Sequence, residues 1–323
     1  CIFCCFQTGC SPSQTQSKAT KSGFYFDTII SITLYETTDT TAIDECFALA
    51  GKLEHLLSAT VSDSEIAQIN AHAGDGSFIA VSDETLALLQ AGILFSQSMD
   101  HTFEITVGNL TDCWNISQYA KDLPEHKGDS GILPDKKEIA MLLSHVDYNN
   151  IVISDNQVQL TDSQSRIDLG GIAKGYLADS MRTLLNEKGY HQGIINLGGN
   201  ILTLGHKTND ACYQIGIQKP FGAAQETIGA ICCRDCSVVT SGIYERYYCI
   251  DDTIYHHILD LSNGYPCDNN LASVTIISAN SVDGDALSTT CFVMGLEKGM
   301  DYIETLPDTE ALFITRDGAI HLT

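Results

Sequence analysis

Apolar residues recur along the chain with two different periods, and each stretch of constant period predicts one element. Residues 41–57 carry apolar side chains at three- and four-residue spacing, which predicts an amphipathic helix. The same spacing follows Ser82 as far as Met99, with Ser82 as the N-cap, and it returns over residues 174–188. Shorter helices are predicted after the cap-like Ser64 and over residues 284–294 and 299–304.

Strand-like stretches are apolar or alternating and end at turn residues. Residues 24–35 predict a first strand, and residues 193–204 predict another. Residues 151–160 and 310–323 each alternate around a short polar turn and predict hairpins, whereas the polar residues 115–137 predict an insertion or a flap. Helices and strands mix without regular alternation. This predicts an α+β fold, a single domain of mixed, mainly antiparallel sheets with flanking helices.

The first ten residues, CIFCCFQTGC, are apolar and lack Lys and Arg. They resemble the tail of a signal peptide, and the small residues before Cys10 resemble a bacterial lipobox, although Gln7 stands where Leu is usual. We therefore expect residues 1–9 to be a signal remnant, 10–23 a polar tether, and 24–323 the folded domain. The protein would then be held at the extracytoplasmic face of the cell membrane by a lipid on Cys10. A fragmentary terminus is the alternative.

The charge balance limits the possible partners. The chain has 41 acidic and 17 basic residues, a formal net charge of -24. A nucleic-acid partner would need a basic face, so this class is excluded. An anionic substrate would need local compensation by a metal, a lysine or backbone N–H groups.

Thirteen cysteines are present, four of them in the first ten residues. The other nine are irregularly spaced, and they include one C-x-x-C, Cys233 to Cys236. No second C-x-x-C or histidine pair completes a zinc site. We expect most of these cysteines to be small core residues in a reducing or anaerobic setting.

The densest chemical signal is residues 167–179, IDLGGIAKGYLAD. The pair Gly170-Gly171 allows close backbone approach, the following helix start favours anions, and Lys174 adds a positive charge. This arrangement suits a pyrophosphate, but it matches neither a Walker loop nor G-x-G-x-x-G. Ordinary turn chemistry is the alternative for the glycine pair.

Four later segments carry further candidate chemistry. They are NLGGN (196–200), TSGIYERY (240–247), YHHILD (255–260) and DGDALSTT (283–290). Asp285 and Thr289 are four apart, so a helix places both oxygen donors on one face, as magnesium (Mg²⁺) requires. His256 and His257 point to opposite faces of a strand, so only one of them serves a given site. Taken alone, TSGIYERY is equally compatible with a structural role, whereas YHHILD and DGDALSTT favour one.

Taken together and in this order, the segments resemble the ApbE family of FAD:protein FMN transferases. The resemblance covers roughly residues 24–300 and includes FDT, DSEI with Asn70, FEITVG, IDLGGIAKGYLAD, INLGGNI, TSGIYERY, YHHILD and DALSTTCFVMG. It implies that FAD is a substrate bound with magnesium. It also implies that a Thr or Ser hydroxyl of an acceptor protein attacks the FMN phosphorus, forming a phosphoester and releasing AMP. Acceptors of the family are subunits of membrane redox complexes.

The resemblance also implies roles for individual residues. His257 is the candidate catalytic base, with Asp285 as its rival. The implied metal ligands are Asp285, Thr289 and the carbonyl of Gly171. The implied FAD-binding residues are Phe26, Thr60, Thr102, Phe103, Glu104, Asp168, Lys174 and Leu259.

The chain departs from the family pattern at two places that bear on the site. Glu104 stands where an aspartate is usual, and Leu261 replaces the proline after Asp260, which predicts a looser loop towards Gly264. Two other functions stay open: an FAD pyrophosphatase that releases FMN and AMP, and a non-enzymatic flavin-binding lipoprotein.

Overall fold

The computed structural model describes residues 17–99, 101–121, 132–207, 210–223 and 225–323. The helices described are α1 (Thr41–Leu57), α2 (Glu65–Ala71), α3 (Asp83–Ser98), α4 (Gly108–Trp114), α5 (Ile116–Lys121), α6 (Lys136–Leu143), α7 (Ala173–Glu187), α8 (Ser281–Met294) and α9 (Leu296–Glu304). A 3₁₀ turn spans Tyr148–Asn150.

The strands described fall into one large sheet and four small ones. They are β1 (Lys18–Tyr25), β2 (Thr28–Tyr35), β3 (Ile79–Ala80), β4 (Ile151–Ser154), β5 (Gln157–Leu160), β6 (Gly193–Leu197), β7 (Asn200–Leu204), β8 (Tyr213–Gln218), β9 (Thr227–Cys233), β10 (Ser237–Gly242), β11 (Tyr247–Ile250), β12 (Thr253–His256), β13 (Leu259–Asp260), β14 (Tyr265–Pro266), β15 (Leu271–Ser278), β16 (Glu310–Thr315) and β17 (Ile320–Leu322).

The large sheet has eight strands in the order β1-β2-β6-β7-β10-β15-β16-β17. Each neighbouring pair in it is antiparallel. The small sheets are β3-β5-β4 and the hairpins β8-β9, β11-β12 and β13-β14. Mixed helices and mainly antiparallel sheets confirm the predicted α+β class.

The large sheet separates two apolar layers because its side chains alternate between its faces. On β16, Phe313 belongs to the main core beneath the helices, whereas Leu312 and Ile314 belong to a second cluster on the other face. The β8-β9 hairpin covers that second face through Tyr213 and its neighbours. A third cluster surrounds Trp114 and packs α4 and α6 against the β11-β12 hairpin.

Most predicted helices are confirmed, and side-chain caps explain the starts of α2 and α3. The side chain of Ser64 accepts the N–H of Ala67, and that of Ser82 accepts the N–H of Thr85. The last two helices begin three residues earlier than predicted, at Ser281 and Leu296. The predicted flap over residues 115–137 lies in part outside the described residues.

Two predicted strands are wrong in the same way, because each is a hairpin. Residues 24–35 contain the end of β1, a turn, and β2. Residues 193–204 are β6 and β7, joined by Gly198 (φ 64°) and Gly199 (φ 100°). Two successive positive φ values define the tight turns that join antiparallel strands, so this glycine pair is a turn rather than an interruption within one strand.

The large sheet begins earlier than the predicted domain boundary. β1 starts at Lys18 and pairs along its length with β2, so residues 18–23 belong to the sheet and not to the tether. Cys10 and residues 1–16 lie outside the described part of the chain. Within the described residues, no helix combines the length and apolar character needed to cross a bilayer.

The cysteines only partly follow the prediction. Cys46, Cys233, Cys267 and Cys291 are buried and free, as expected of core residues. Cys212 and Cys232 instead form a disulfide across the β8-β9 hairpin.

Candidate functional site

The site is built where the first turn of α7 meets α8. The N–H of Gly175 donates to Oδ2 of Asp285 at 2.5 Å, so a carboxylate of α8 satisfies one of the open N–H groups at the start of α7. A Cβ on Gly175 would lie 2.4 Å from the carbonyl oxygen of Ser281. Only glycine permits such close contact between α7 and α8. This contact places the Asp285 carboxylate at the start of α7.

The two helices cap each other. The carboxylate of Asp179 on α7 accepts the backbone N–H groups of Ser281 and Val282, at 3.0 and 2.9 Å. These groups open α8. Asp179 also pairs with Arg182 at 2.9 Å. The segments IDLGGIAKGYLAD and DALSTT are therefore joined by one reciprocal set of hydrogen bonds.

Asp285 is 6% exposed and takes part in a buried polar network. Its Oδ1 accepts the side-chain amide of Asn200 at 3.2 Å, and Oδ1 of Asn200 accepts the hydroxyl of Ser281 at 2.7 Å. Burial raises the pKa of Asp285, and the charge of Lys174 and the bonds from Gly175 and Asn200 oppose this shift. The site thus holds a buried carboxylate beside a helix N-terminus.

Hydroxyl groups continue the network one turn along α8. Ser241, on β10, lies 2.8 Å from the hydroxyl of Ser288 and 3.4 Å from that of Thr289. The hydroxyl of Ser288 also donates to the carbonyl of Asp285 at 3.0 Å. Asp285, Thr289 and Ser241 therefore offer oxygen donors within one small region, the ligand type that magnesium prefers.

No group of three or more His, Cys, Asp or Glu side chains in the described ranges is placed to hold a metal ion. A cation at Asp285 would therefore depend on hydroxyl and carbonyl oxygens as well. Gly171 lies four residues before Gly175, so its carbonyl belongs to the same helix start. This donor set is chemically suited to magnesium.

The FEITVG segment runs beside the glycine-rich segment. Val107 and Arg166 form a parallel bridge, and the N–H of Asp168 donates to the carbonyl of Ile105 at 2.8 Å. The buried Phe103 ring lies against Gly171, since a Cβ there would be 3.0 Å from the ring. Asn70 holds the same region from α2, because its amide both donates to and accepts from the backbone of Ile167.

Asp168 and Glu104 differ in their availability. Asp168 accepts the N–H of Gly170 at 2.8 Å and faces the hydroxyl of Thr111 at 3.3 Å, which orders the glycine turn. Glu104 is 8% exposed, and its carboxylate oxygens accept the backbone N–H groups of Thr106 and Tyr148. Burial raises the pKa of Glu104. The longer side chain of Glu104 thus makes its hydrogen bonds within the protein.

Lys174 supplies positive charge at the start of α7. Its charge lowers the pKa values of Asp285, Glu245 and His257. The exposed Arg246 adds a second cation beside His257. In a chain of net charge -24, this pairing of cations is the local compensation that an anionic substrate needs.

The two adjacent histidines have different surroundings, but the prediction that both lie on one strand is wrong, because β12 ends at His256 and His257 lies in the bend after it. His256 is buried, its Nε2 lies 3.0 Å from the carbonyl of Cys267, and burial lowers its pKa to about 4. His257 is half-buried, and its Nδ1 lies 3.3 Å from the carbonyl of Arg246. Desolvation and the charge of Arg246 hold the pKa of His257 well below its ordinary value. Both imidazoles are therefore neutral at pH 7, and His257 is the more accessible.

The loop after Leu259 is held in place without the family's proline. The Asp260 carboxylate accepts the N–H of Ser262 and the side-chain amide of Asn263. The indole N–H of Trp114 donates to the carbonyl of Gly264 at 2.7 Å. Leu259 itself is buried in the Trp114 cluster. Three hydrogen bonds thus order the loop that carries Leu261 in place of the proline, and the looser loop stays a prediction.

Three predicted FAD-binding residues lie at the edge of this region. Phe26 (φ 52°) forms the β1-β2 turn, and its N–H donates to Glu54 at 2.7 Å. Thr60 is exposed in the loop after α1, next to Ala59, whose carbonyl accepts Arg166. Thr102 lines a cavity of about 310 Å³. The other residues lining that cavity are Asp260, Val293, Met294, Lys298 and Tyr302.

Several residues of the network were not predicted from the sequence. Asn200 and Asp179 lie inside recognised segments, yet nothing in a linear pattern indicates that they contact residues 85 and 102 positions away. Ser241 lies in TSGIYERY, but its contact with Ser288 was not predicted. The signal that could have identified Asn200 was its position, since it is a polar residue directly after a glycine turn.

Comparison with known proteins identifies the family and the fold. The ApbE family model matches residues 26–313. An FAD:protein FMN transferase of Treponema pallidum (strain Nichols) is 35% identical over 291 residues, which cover 85% of this chain and 77% of that protein. One of Klebsiella pneumoniae (strain 342) is 36% identical over 279 residues, covering 86% of this chain and 83% of that protein.

Solved structures show the same fold. The crystal structure of the ApbE protein of Thermotoga maritima superposes with a TM-score of 0.81 at 30% identity, covering 94% of this chain and 96% of that one. The flavin transferase ApbE of Vibrio cholerae also superposes with a TM-score of 0.81, at 24% identity and with 95% and 97% coverage. The second likeness concerns the fold alone.

Proposed function

This chain belongs to the ApbE family of enzymes, and from that membership we propose that it transfers the FMN part of FAD to a Thr or Ser hydroxyl of an acceptor protein. The reaction forms a phosphoester and releases AMP. The observation that carries the proposal is the network at the α7-α8 contact. It unites a helix N-terminus, Lys174 and the oxygens of Asp285 and Thr289.

The helix start and Lys174 suit the pyrophosphate of FAD. Open N–H groups and the positive end of the helix dipole favour a bound anion, and Lys174 adds a full charge. Asp168 shapes the glycine turn that leads into the helix through its bond to Gly170. The cavity lined by Thr102 and Lys298 has a volume suited to one ring system of FAD.

Asp285, Thr289 and the carbonyl of Gly171 would hold magnesium, with Ser241 as a neighbouring donor. A bound magnesium ion would neutralise charge on the phosphates during transfer. Asn200 and the N–H of Gly175 orient the Asp285 carboxylate. These two hydrogen bonds hold the Asp285 carboxylate in place, so they determine the direction from which a ligand can approach each of its oxygens.

His257 is the proposed base. Its Nδ1 lies 3.3 Å from the carbonyl of Arg246, which can only accept a hydrogen bond, so the ring proton belongs on Nδ1 and Nε2 can accept the proton of the attacking hydroxyl. His256 is unsuited to this role, because it is buried and committed to the carbonyl of Cys267. Asp285 is a weaker candidate, since hydrogen bonds already use both of its oxygens.

The test is mass spectrometry of an acceptor, a Thr-containing subunit of a membrane redox complex, incubated with the protein, FAD and magnesium. We expect the acceptor to gain the mass of FMN and to lose this gain when magnesium is chelated. Release of FMN and AMP from FAD without acceptor labelling would favour the pyrophosphatase. Unchanged FAD would favour a flavin-binding protein.

Single substitutions test which residues take part in the transfer reaction. Asp285→Asn is expected to slow transfer about 100-fold or more, because the substitution removes the charge of a metal ligand. Asp283→Asn, on the same helix, is the matched control and should retain activity. His257→Gln should slow transfer while leaving FAD affinity unchanged. An active Asp285→Asn variant would contradict the metal assignment.

We also propose that the protein is anchored to the membrane through a lipid on Cys10, where its acceptor would be a membrane redox subunit. The lipobox-like residues before Cys10 support this proposal. Membrane fractionation of the full protein and of Cys10→Ala tests it. Retention of the variant in the membrane fraction would contradict lipid anchoring at this position.

A further inference from the structure

Four cysteines gather where the β8-β9 hairpin joins β10, and the proposed transfer reaction uses none of them. Cys212 and Cys232 form a disulfide with a Cα–Cα distance of 5.4 Å. Cys233 and Cys236 are free thiols at the two ends of the C-x-x-C turn. Their side chains hydrogen-bond to each other.

We propose that Cys233 and Cys236 are a redox-active dithiol, in which Cys236 attacks a disulfide-bearing compound and Cys233 then closes an intramolecular disulfide. The site accepts low-molecular-weight or protein disulfides as oxidants. It is separate from the flavin site, so the inference does not rest on the proposed transferase activity.

The two thiols differ in accessibility in the way such a reaction needs. Cys233 is 1% exposed and packs with Tyr213 and Val238, so an external disulfide cannot reach it. Cys236 is half-buried and borders the exposed Arg234-Asp235 turn. The attacking sulfur must meet the oxidant, whereas the resolving sulfur has only to reach its neighbour.

The thiols also differ in acidity. The hydrogen bond from Cys233 lowers the pKa of Cys236 to about 7, with further help from the backbone of Arg234 and from Thr203. Burial and the charge of Asp235 oppose this shift. The same sulfur–sulfur contact, together with burial, raises the pKa of Cys233. Cys236 is therefore the more acidic of the two thiols.

The backbone holds the turn ready for closure. The N–H of Cys236 donates to the hydroxyl of Thr203 at 3.0 Å, and its carbonyl accepts the N–H of Thr203 at 2.9 Å. The N–H of Asp235 donates to the carbonyl of Gly205 at 2.8 Å. With the turn fixed to β7, disulfide formation requires the sulfurs to move from hydrogen-bond contact to about 2.05 Å.

The reaction balances as two exchange steps. The Cys236 thiolate attacks one sulfur of glutathione disulfide, breaking its S–S bond and releasing one glutathione thiolate. Cys233 then loses its proton to solvent and attacks the Cys236 sulfur, releasing the second glutathione thiolate. Two cysteine thiols are oxidised to one disulfide, and one glutathione disulfide is reduced to two glutathiones.

The test treats the intact protein with glutathione disulfide, blocks the remaining thiols by alkylation and maps them by mass spectrometry. We expect a Cys233–Cys236 disulfide in the wild-type protein. Cys113, a half-buried free thiol whose pKa is raised by burial, serves as the internal control and should stay alkylatable. Before oxidation, Cys236 should be alkylated about tenfold faster than Cys113 at pH 7.

Single variants separate the two roles. Cys233→Ser should trap glutathione on Cys236, whereas Cys236→Ser should leave Cys233 unmodified. If glutathione disulfide leaves both thiols of the wild-type protein free, or if it reacts equally fast with Cys113, the proposal is wrong. Exchange that links Cys236 to Cys212 or Cys232 would also overturn it.

Discussion

At the residue scale, one buried carboxylate organises the candidate site. Asp285 satisfies an open N–H of α7 and the amide of Asn200, and both bonds point its oxygens in fixed directions. Burial would otherwise make the charged form costly, so these donors and Lys174 are what retain its ability to bind a cation. The same residue is therefore structural and chemical at once.

His256 illustrates how a neighbour of a candidate base acquires a different role. It lies in the core, against Phe292, with its Nε2 directed to the carbonyl of Cys267. Its pKa in the folded protein is about 4, below the ordinary value of 6.5. Between these two pH values the unfolded chain binds more protons, so the free energy of unfolding falls as pH falls.

We predict that His256→Gln reduces the acid sensitivity of the fold. The wild-type protein should lose about 2 kcal/mol more than the variant between pH 7 and pH 4.5, since each pKa unit is worth about 1.4 kcal/mol. Urea unfolding at both pH values measures this difference. His55→Gln, at an exposed position, is the control. Equal pH dependence in wild type and His256→Gln would refute this assignment.

Individual candidates could be predicted from the sequence where a motif is local. Asp285 and Thr289 share a helix face because they are four apart, and Lys174 opens a helix after two glycines. Asn200 could not be identified in this way, because its role depends on a contact with a residue 85 positions later. Nothing in the local pattern indicated that the Glu104 carboxylate accepts the backbone N–H groups of residues 106 and 148.

At the element scale, the reciprocal capping of α7 and α8 determines the site's geometry. Gly175 lets the helices touch, Asp179 holds the start of α8, and Asp285 holds the start of α7. Neither helix start has an N-cap side-chain bond of its own. Each therefore depends on the other for satisfied backbone groups.

We predict that Gly175→Ala destabilises the protein by about 1–3 kcal/mol, because the added Cβ would overlap the carbonyl of Ser281. In an isolated helix the same change would stabilise by up to about 1 kcal/mol, so the sign distinguishes packing from propensity. Urea unfolding measures the effect. Gly229→Ala, where an added Cβ has open space, is the control and should change stability little. A neutral Gly175→Ala would contradict the close contact.

Helices were predicted better than strands for a physical reason. A helix is closed by local hydrogen bonds, so its period is visible within a short window, as for α1, and so is its cap, as for α3. The β1-β2 turn is formed by Phe26 and Asp27, both with positive φ, which residue type alone does not indicate. The order of strands in the large sheet depends on distant pairings such as β2 with β6.

At the scale of the whole molecule, the acidic surface stands apart from the cationic site. The net charge of -24 produces self-repulsion that opposes folding. Exposed ion pairs such as Lys21–Asp44 and Lys52–Glu84 offset little of it. Lys174 and Arg246 are thus two of only 17 basic residues in a strongly acidic chain.

We predict that moderate salt stabilises this protein. Raising NaCl from 0.02 to 0.2 M should increase the free energy of unfolding by on the order of 1 kcal/mol, because screening weakens like-charge repulsion more than the few surface pairs. Thermal or urea unfolding measures it, and choline chloride controls for specific cation binding. Destabilisation by both salts would show that surface ion pairs dominate instead.

The mutual capping of α7 and α8 has a consequence for synthesis on the ribosome. Gly175 and Asp285 are 110 positions apart, so the first turn of α7 waits about 5–20 s of translation for its partner. During that interval β1, β2, β6 and β7 have all been made. A nascent chain interrupted just before residue 285 also contains β10 and β15, so it carries six of the eight strands of the large sheet without the α7-α8 contact. We therefore expect truncated products to be inert and activity to arise only when the chain is nearly finished.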